Sequence, residues 1–394
     1  MVVSPSSSAP SAWQREPYRV LFPVGFLLVW TGIGHWLLTG LGWISGTDSV
    51  FHSIAQIQGF MFCFAGGFLL TAIPRRTGTP PPAKWQVVLA ATAPVATTLF
   101  AWFGMPGASQ AFWYALVIVL LTFAIGRFRT LHAKRRPPDS FVWIPCALLM
   151  GVGGSLLMAA YGALGEAYFH LHELGKLFLL QGMFLGLVFG VGGMALPLLT
   201  CGDAPSDGTK ESAPFRGMHL LAALALIGTF FVQEYRELNI GYTLRAAISL
   251  MVLVGGCRIH RLPSKPGLHR WLVWLAAWMI PIGYTVGALD PIHHQAGLHI
   301  VFIGGFALLA FTVGLHVALA HGGYEELVHG RPWQVVLFGV LILAAVWCRA
   351  QMDFDGPEFR NLWQVRAAGA FLSATVFWGL LVLPRIFRVR GSPR

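Results

Sequence analysis

Apolar residues along this chain gather into long runs, and most polar residues between them fall in short loops. A membrane-crossing helix needs about 20 largely apolar residues. Such runs lie near 18–40, 52–74, 85–104, 109–128, 141–164, 172–199, 216–233, 240–257, 271–289, 298–320, 333–350 and 367–387. The pattern predicts an all-α polytopic membrane helix bundle of about 12 transmembrane helices. The longest polar loop, about 201–215, is too short for a soluble domain, so a single domain is expected over 15–390. Residues 1–14 are Ser/Pro-rich without a basic start, which predicts a disordered tail rather than a cleaved signal peptide.

Composition agrees with the pattern. The chain is 56% hydrophobic and 11% charged, whereas soluble proteins carry about 25% charged residues. Its 46 glycines suit close helix packing in lipid. A formal charge of +11 would suggest nucleic acid in a soluble protein. Here the basic residues sit in short loops, where they report topology, and no nucleic-acid partner is expected. Arg75, Arg76 and Lys84 follow the second run. Arg129, Lys134, Arg135 and Arg136 follow the fourth, and Arg258, Arg261, Lys265 and Arg270 the eighth. Arg385, Arg388, Arg390 and Arg394 end the chain. The loops after runs one, three, five and nine have no Lys or Arg, so both termini are expected in the cytoplasm. Arg349, Arg360 and Arg366, read as the loop after run eleven, depart from this trend beside Asp353, Asp355 and Glu358.

Candidate chemistry lies in the histidines. Runs two, six and ten begin at or near His52, His170 with His172, and His299. With His293 and His294 these make six histidines on the outer side, and His35 lies in the outer half of run one. His219, His316 and His321 fall on the inner side. His132, His260, His269 and His329 read as solvated loop residues. Imidazole is the usual protein ligand of haem iron and copper. One histidine at a span end is ordinarily interfacial, but six from three helix starts make a haem or metal site a candidate. His299 and His316 are 17 residues apart, about 25 Å on a helix, so they cannot share one ion. The four-run period, with Gly66-Gly67, Gly192-Gly193 and Gly304-Gly305, hints at an internal repeat. Glu173 can orient His172 or pair with Lys176. Arg245 is a lone charge that can meet a haem propionate or pair with Glu234 or Glu237. Gln56, Gln58 and Gln181 read as helix-to-helix hydrogen bonders. Five scattered cysteines form no CxxC or CxxCH, which argues against covalent haem and a redox pair. P-loop, GxSxG and HExxH motifs are absent.

Three stretches resemble the NnrS family. HSIAQIQGFMFCFAGGFLLTAIPRRTG (52–78) is similar to its second span, with His52, Gly59-Phe60 and Gly67 through Gly78 in the matching places. GGMALPLLT (192–200) resembles that family's GGRVIPxFT. His299 to Gly323, ending LAHGG, resembles a stretch that opens with His and closes with LGHTG, so His321 matches its second His. The chain departs from the pattern at Ile54 and Ala55, which stand for a second His and a Glu, and at Met194, which stands for an Arg. The resemblance implies a bacterial inner-membrane protein with haem b, in some members copper, and a part in the response to nitric oxide. The implied roles run from nitric oxide reductase-like chemistry and detoxification to binding, sensing or transport, with a quinol or a periplasmic donor as electron source. His52 and His299 are the first choices for haem ligands, with His172, His316, His321 and Arg245 as further haem candidates. His170, His172, His293 and His294 are the copper candidates. A distant relation to the haem-copper oxidases is the alternative. However, the chain lacks their His-His pair after helix seven and their paired histidines on helix ten. A haemless transporter is the third reading.

Overall fold

A computed structural model describes residues 10–46, 48–130, 134–204 and 207–388. Residues 1–9 of the expected tail and His132 lie outside the described residues. Within the rest of that tail Ala12–Arg15 form a helical turn, not irregular chain. Ser11 and Gln14 cap it reciprocally, and the Gln14 amide donates to the Pro82 carbonyl at 3.3 Å.

Twelve helices are long and apolar enough to cross a membrane. They are span 1, Tyr18–Gly40; span 2, Ser49–Thr77; span 3, Lys84–Trp102; span 4, Pro106–Arg129; span 5, Asp139–Leu164; and span 6, Glu166–Cys201. There follow span 7, Ala213–Tyr235; span 8, Leu238–Gly255; span 9, Leu268–Leu289; span 10, His294–His321; span 11, Trp333–Phe354; and span 12, Pro357–Phe387. The described residues contain no strand. The chain is an all-α, multi-pass membrane protein.

Each span coincides with a predicted run, but several helices outlast their apolar cores. Arg360 and Arg366, read as loop, lie on span 12, where Arg366 sits 4.9 Å over the Trp363 ring. Long cationic side chains can bury their stems at a span end while the head reaches water, so helix continues past the apolar run. His52, His172 and His299 likewise lie inside helices rather than at their tips. The Asp48 carboxylate accepts from the Val50 and Phe51 amides, both at 2.9 Å, and starts span 2. Gly78 ends it in the left-handed region (φ 68°), where a side chain is disfavoured.

Spans 2, 6 and 10 are the inner helices. Their apolar windows are 83%, 78% and 67% buried, against 28–56% for the other nine. Each packs against the span before it and the span after it, which defines three groups of four. The groups meet through spans 4 and 5, 8 and 9, and 12 and 1, closing a ring. In each group a glycine of the preceding span admits the inner helix. A Cβ on Gly154 would stand 2.5 Å from the Gly175 carbonyl oxygen, one on Gly283 2.6 Å from that of Gly297, and one on Gly32 3.0 Å from the Ala55 Cβ. Each inner helix also switches to π winding near its histidine, over Ile54–Met61, Leu177–Gly182 and Ile300–Ala307. The repeat hinted at by histidine spacing thus has a structural counterpart in each group.

With an even number of crossings both termini share one face, the terminal face. There the Arg19 guanidinium donates to the Ile386 carbonyl and pairs with Glu16, tying span 1 to span 12.

Candidate functional site

On the far face, spans 2 and 10 bring His52 and His299 together. His52 Nδ1 lies 2.9 Å from the Gly32 carbonyl, and His299 Nδ1 lies 2.8 Å from that of Gln295. A carbonyl only accepts, so each ring carries its proton on Nδ1 and keeps the Nε2 lone pair. No protein group among the described residues bonds either Nε2. This second-contact arrangement holds a ligating imidazole in orientation. The two rings lie within electrostatic reach of each other, and each of Arg349 on span 11. Arg349 is held by Asp353 at 2.8 Å. Trp36 stands edge-on to His52, 5.6 Å between centroids, and His35 Nε2 accepts from the Asp48 amide at 3.0 Å.

Three polar atoms around this pair are buried without a partner: Trp36 Nε1, His35 Nδ1 and Asp353 Oδ2. Leaving a buried polar group unpaired costs about 1–3 kcal/mol. Their gathering around two imidazoles with free lone pairs marks a place suited to a group with polar edges.

The other candidates on this face do not converge. His170 Nδ1 bonds Glu234 at 2.6 Å, and its ring lies against Tyr235. His172 packs on Tyr161 and Phe169. Glu173 pairs with Lys176 at 2.9 Å and stands 4.0 Å from His172, so the ion pair is the closer contact. His293 Nδ1 bonds Asp290 at 2.8 Å, which holds that carboxyl below its ordinary range. His294 bonds the Pro291 carbonyl and faces Tyr242. Among the described residues no three His, Cys, Asp or Glu side chains gather to hold a metal ion. His170 thus meets Glu234 of span 7, while His172, His293 and His294 meet neighbours close in sequence.

Arg245 also departs from expectation. It is fully buried on span 8 and bonds neither Glu234 nor Glu237. Its guanidinium donates to the Gln181 and Gln233 carbonyl oxygens and lies 4.6, 4.8 and 5.3 Å from the Tyr242, Phe230 and Tyr284 ring centroids. The buried amides do link helices: Gln58 bonds Gln110 at 2.8 Å, and Gln56 donates to the Val29 carbonyl at 3.3 Å.

At the terminal face His316 and His321 line a cavity of about 240 Å³ with Arg75. His269, read as a solvated loop residue, is buried at the start of span 9, its Nε2 2.9 Å from His316 Nδ1. The span begins three residues earlier than its apolar run, and this carries the ring inside.

Sequence reasoning overlooked Arg349, Trp36, His35 and His269 as parts of sites. Arg349 was visible only as one of three basic residues that broke the loop-charge trend. The others carried no signal, because an aromatic or His near a span end has no pattern of its own.

A family model described as NnrS protein matches residues 12–390. No curated protein matches the chain.

Proposed function

Because the chain belongs to the NnrS family, we propose that it binds haem b between His52 and His299 and handles nitric oxide. The observation that carries this reading is the approach of two imidazoles whose Nδ1 protons face backbone carbonyls, leaving both Nε2 lone pairs without a partner among the described residues. Haem held there would supply nitric oxide binding and one-electron chemistry.

The chain's own residues then divide the work. His52 and His299 present Nε2 from two different inner helices. The Gly32 and Gln295 carbonyls fix their tautomer and ring plane. Arg349, tethered by Asp353, offers a guanidinium to a carboxylate edge. Trp36 stands edge-on to His52 and offers an N–H with no partner among the described residues. Arg245, taken up by two amides and three rings, is not assigned to a propionate. Copper is not assigned, because its four candidate ligands do not meet.

The test is spectroscopic. Purified protein should give a b-type pyridine haemochrome and a Soret band that shifts on adding nitric oxide. His52→Ala and His299→Ala should each lose or alter the axial-ligand bands. A preparation without a Soret band ends the haem reading. Unchanged spectra in both variants reject these two ligands while leaving haem in place.

A further inference from the structure

The three inner helices do not close on one another along the whole axis. Towards the terminal face spans 2, 6 and 10 enclose the 240 Å³ cavity, walled by Phe68, Ala195 and Val313. The same three residues line a second, smaller void of about 80 Å³. That void continues along the axis to Met61, Phe184 and Phe306. From His321 to Phe306 is 15 residues of span 10, about 22 Å of helix. The two voids adjoin at these shared residues along the bundle axis, with polar groups lining only the one nearer the terminal face.

Those polar groups are Thr71, Arg75, His316 and His321, of which the guanidinium only donates and each imidazole carries a donor on one ring nitrogen. His316 is backed by His269, and when His269 Nε2–H donates to His316 Nδ1, the His316 Nε2–H points its proton elsewhere. His321 Nδ1 is buried and has no partner among the described residues. Arg75 is half-exposed on the rim, bonded to Glu16 at 2.7 Å. Glu16 also serves Arg19, so one carboxylate faces two guanidiniums. The mouth carries the Arg75 guanidinium and an unpartnered imidazole nitrogen, and the inner void has only apolar walls. Water fits such an interior poorly, because a buried water needs two to four polar partners.

We propose that this axial cavity binds a single-chain amphiphile. Its head, carrying hydrogen-bond-accepting oxygen, sits among His316, His321 and Arg75, and its apolar tail runs inward towards Phe184 and Phe306. A quinone carbonyl and a fatty-acid carboxylate share this chemistry. The site lies at the opposite end of span 10 from His299 and does not depend on haem.

Equilibrium dialysis of the full-length protein in detergent, with labelled decylubiquinone and labelled oleate, tests it. At least one probe should bind saturably, one per chain. Ala195→Phe fills the passage and should weaken that binding at least tenfold, with Val313→Phe as the second filling variant should the first fail to fold. Arg75→Gln separates the sources. A tenfold loss for oleate with little change for the quinone supports a carboxylate ligand, and saturable binding of the quinone that His321→Phe removes supports a carbonyl ligand. Absence of saturable binding of both probes, or wild-type binding in a folded filled variant, overturns the proposal. A second haem per chain that His321→Phe removes overturns it as well. The Soret band of the His52–His299 site should be the same in every one of these variants, so failure here and failure of the haem reading are separate results.

Discussion

Arg245 shows how a charge survives inside this bundle without a carboxylate. A planar fork can bond two amide oxygens and stack on rings at once, and cation–ring contacts are worth about 2 kcal/mol when desolvated. Gln181 accepts from both Arg245 and the Tyr284 hydroxyl, so three spans depend on one amide. A lysine keeps the charge but cannot fork or stack. Arg245→Lys is therefore expected to cost about 1–3 kcal/mol, seen as a lower thermal unfolding midpoint in detergent. An unchanged midpoint would mean that the fork geometry contributes nothing. At the far-face pair the same reasoning assigns value to backbone carbonyls. Gly32 both admits span 2 and orients His52, so one residue links helix packing to ligand geometry.

At the scale of the element, the inner helices combine two devices. Close crossings over Gly32, Gly154 and Gly283 bring backbones together where lipid offers no hydrophobic drive for association. The π segments then change the helical phase between the histidine and the rest of the span, a device common at functional sites. The crossings are selective. A Cβ at Gly283 meets backbone that cannot retreat, whereas one at Gly34 meets nothing within 4 Å. Gly283→Ala should lose about 1–3 kcal/mol through overpacking, while Gly34→Ala stays within about 0.5 kcal/mol of the parent. Thermal unfolding of the two variants side by side checks this, and equal midpoints would refute the crossing as the cause.

At the scale of the whole molecule, twelve spans in three groups put the chain termini on one face and the His52–His299 pair near the other. The loops that bear Lys and Arg cluster on the terminal face, which predicts that this face is cytoplasmic. Green fluorescent protein fused to the C-terminus should fluoresce, and alkaline phosphatase joined after Asp290 should be active. The reverse pattern would invert the topology and place the axial cavity's mouth outside.

Span number and position were legible in the sequence because burying a backbone in lipid demands about 20 apolar residues per crossing. That demand is local, and each run states it independently. His52 and His299 were also legible, as histidines at the starts of inner helices and within stretches resembling a family. What gathers around them was not. Arg349 joins the pair from a third span, His269 backs His316 across 47 positions of chain, and Arg245 chose amides over the nearer carboxylates. The copper candidates looked alike in sequence, yet His170 pairs with Glu234 of the next span while His293 pairs with Asp290 three residues away. Convergence of side chains depends on helix rotation and crossing distance, set here by π segments and glycine contacts, and only the tertiary structure decides those quantities.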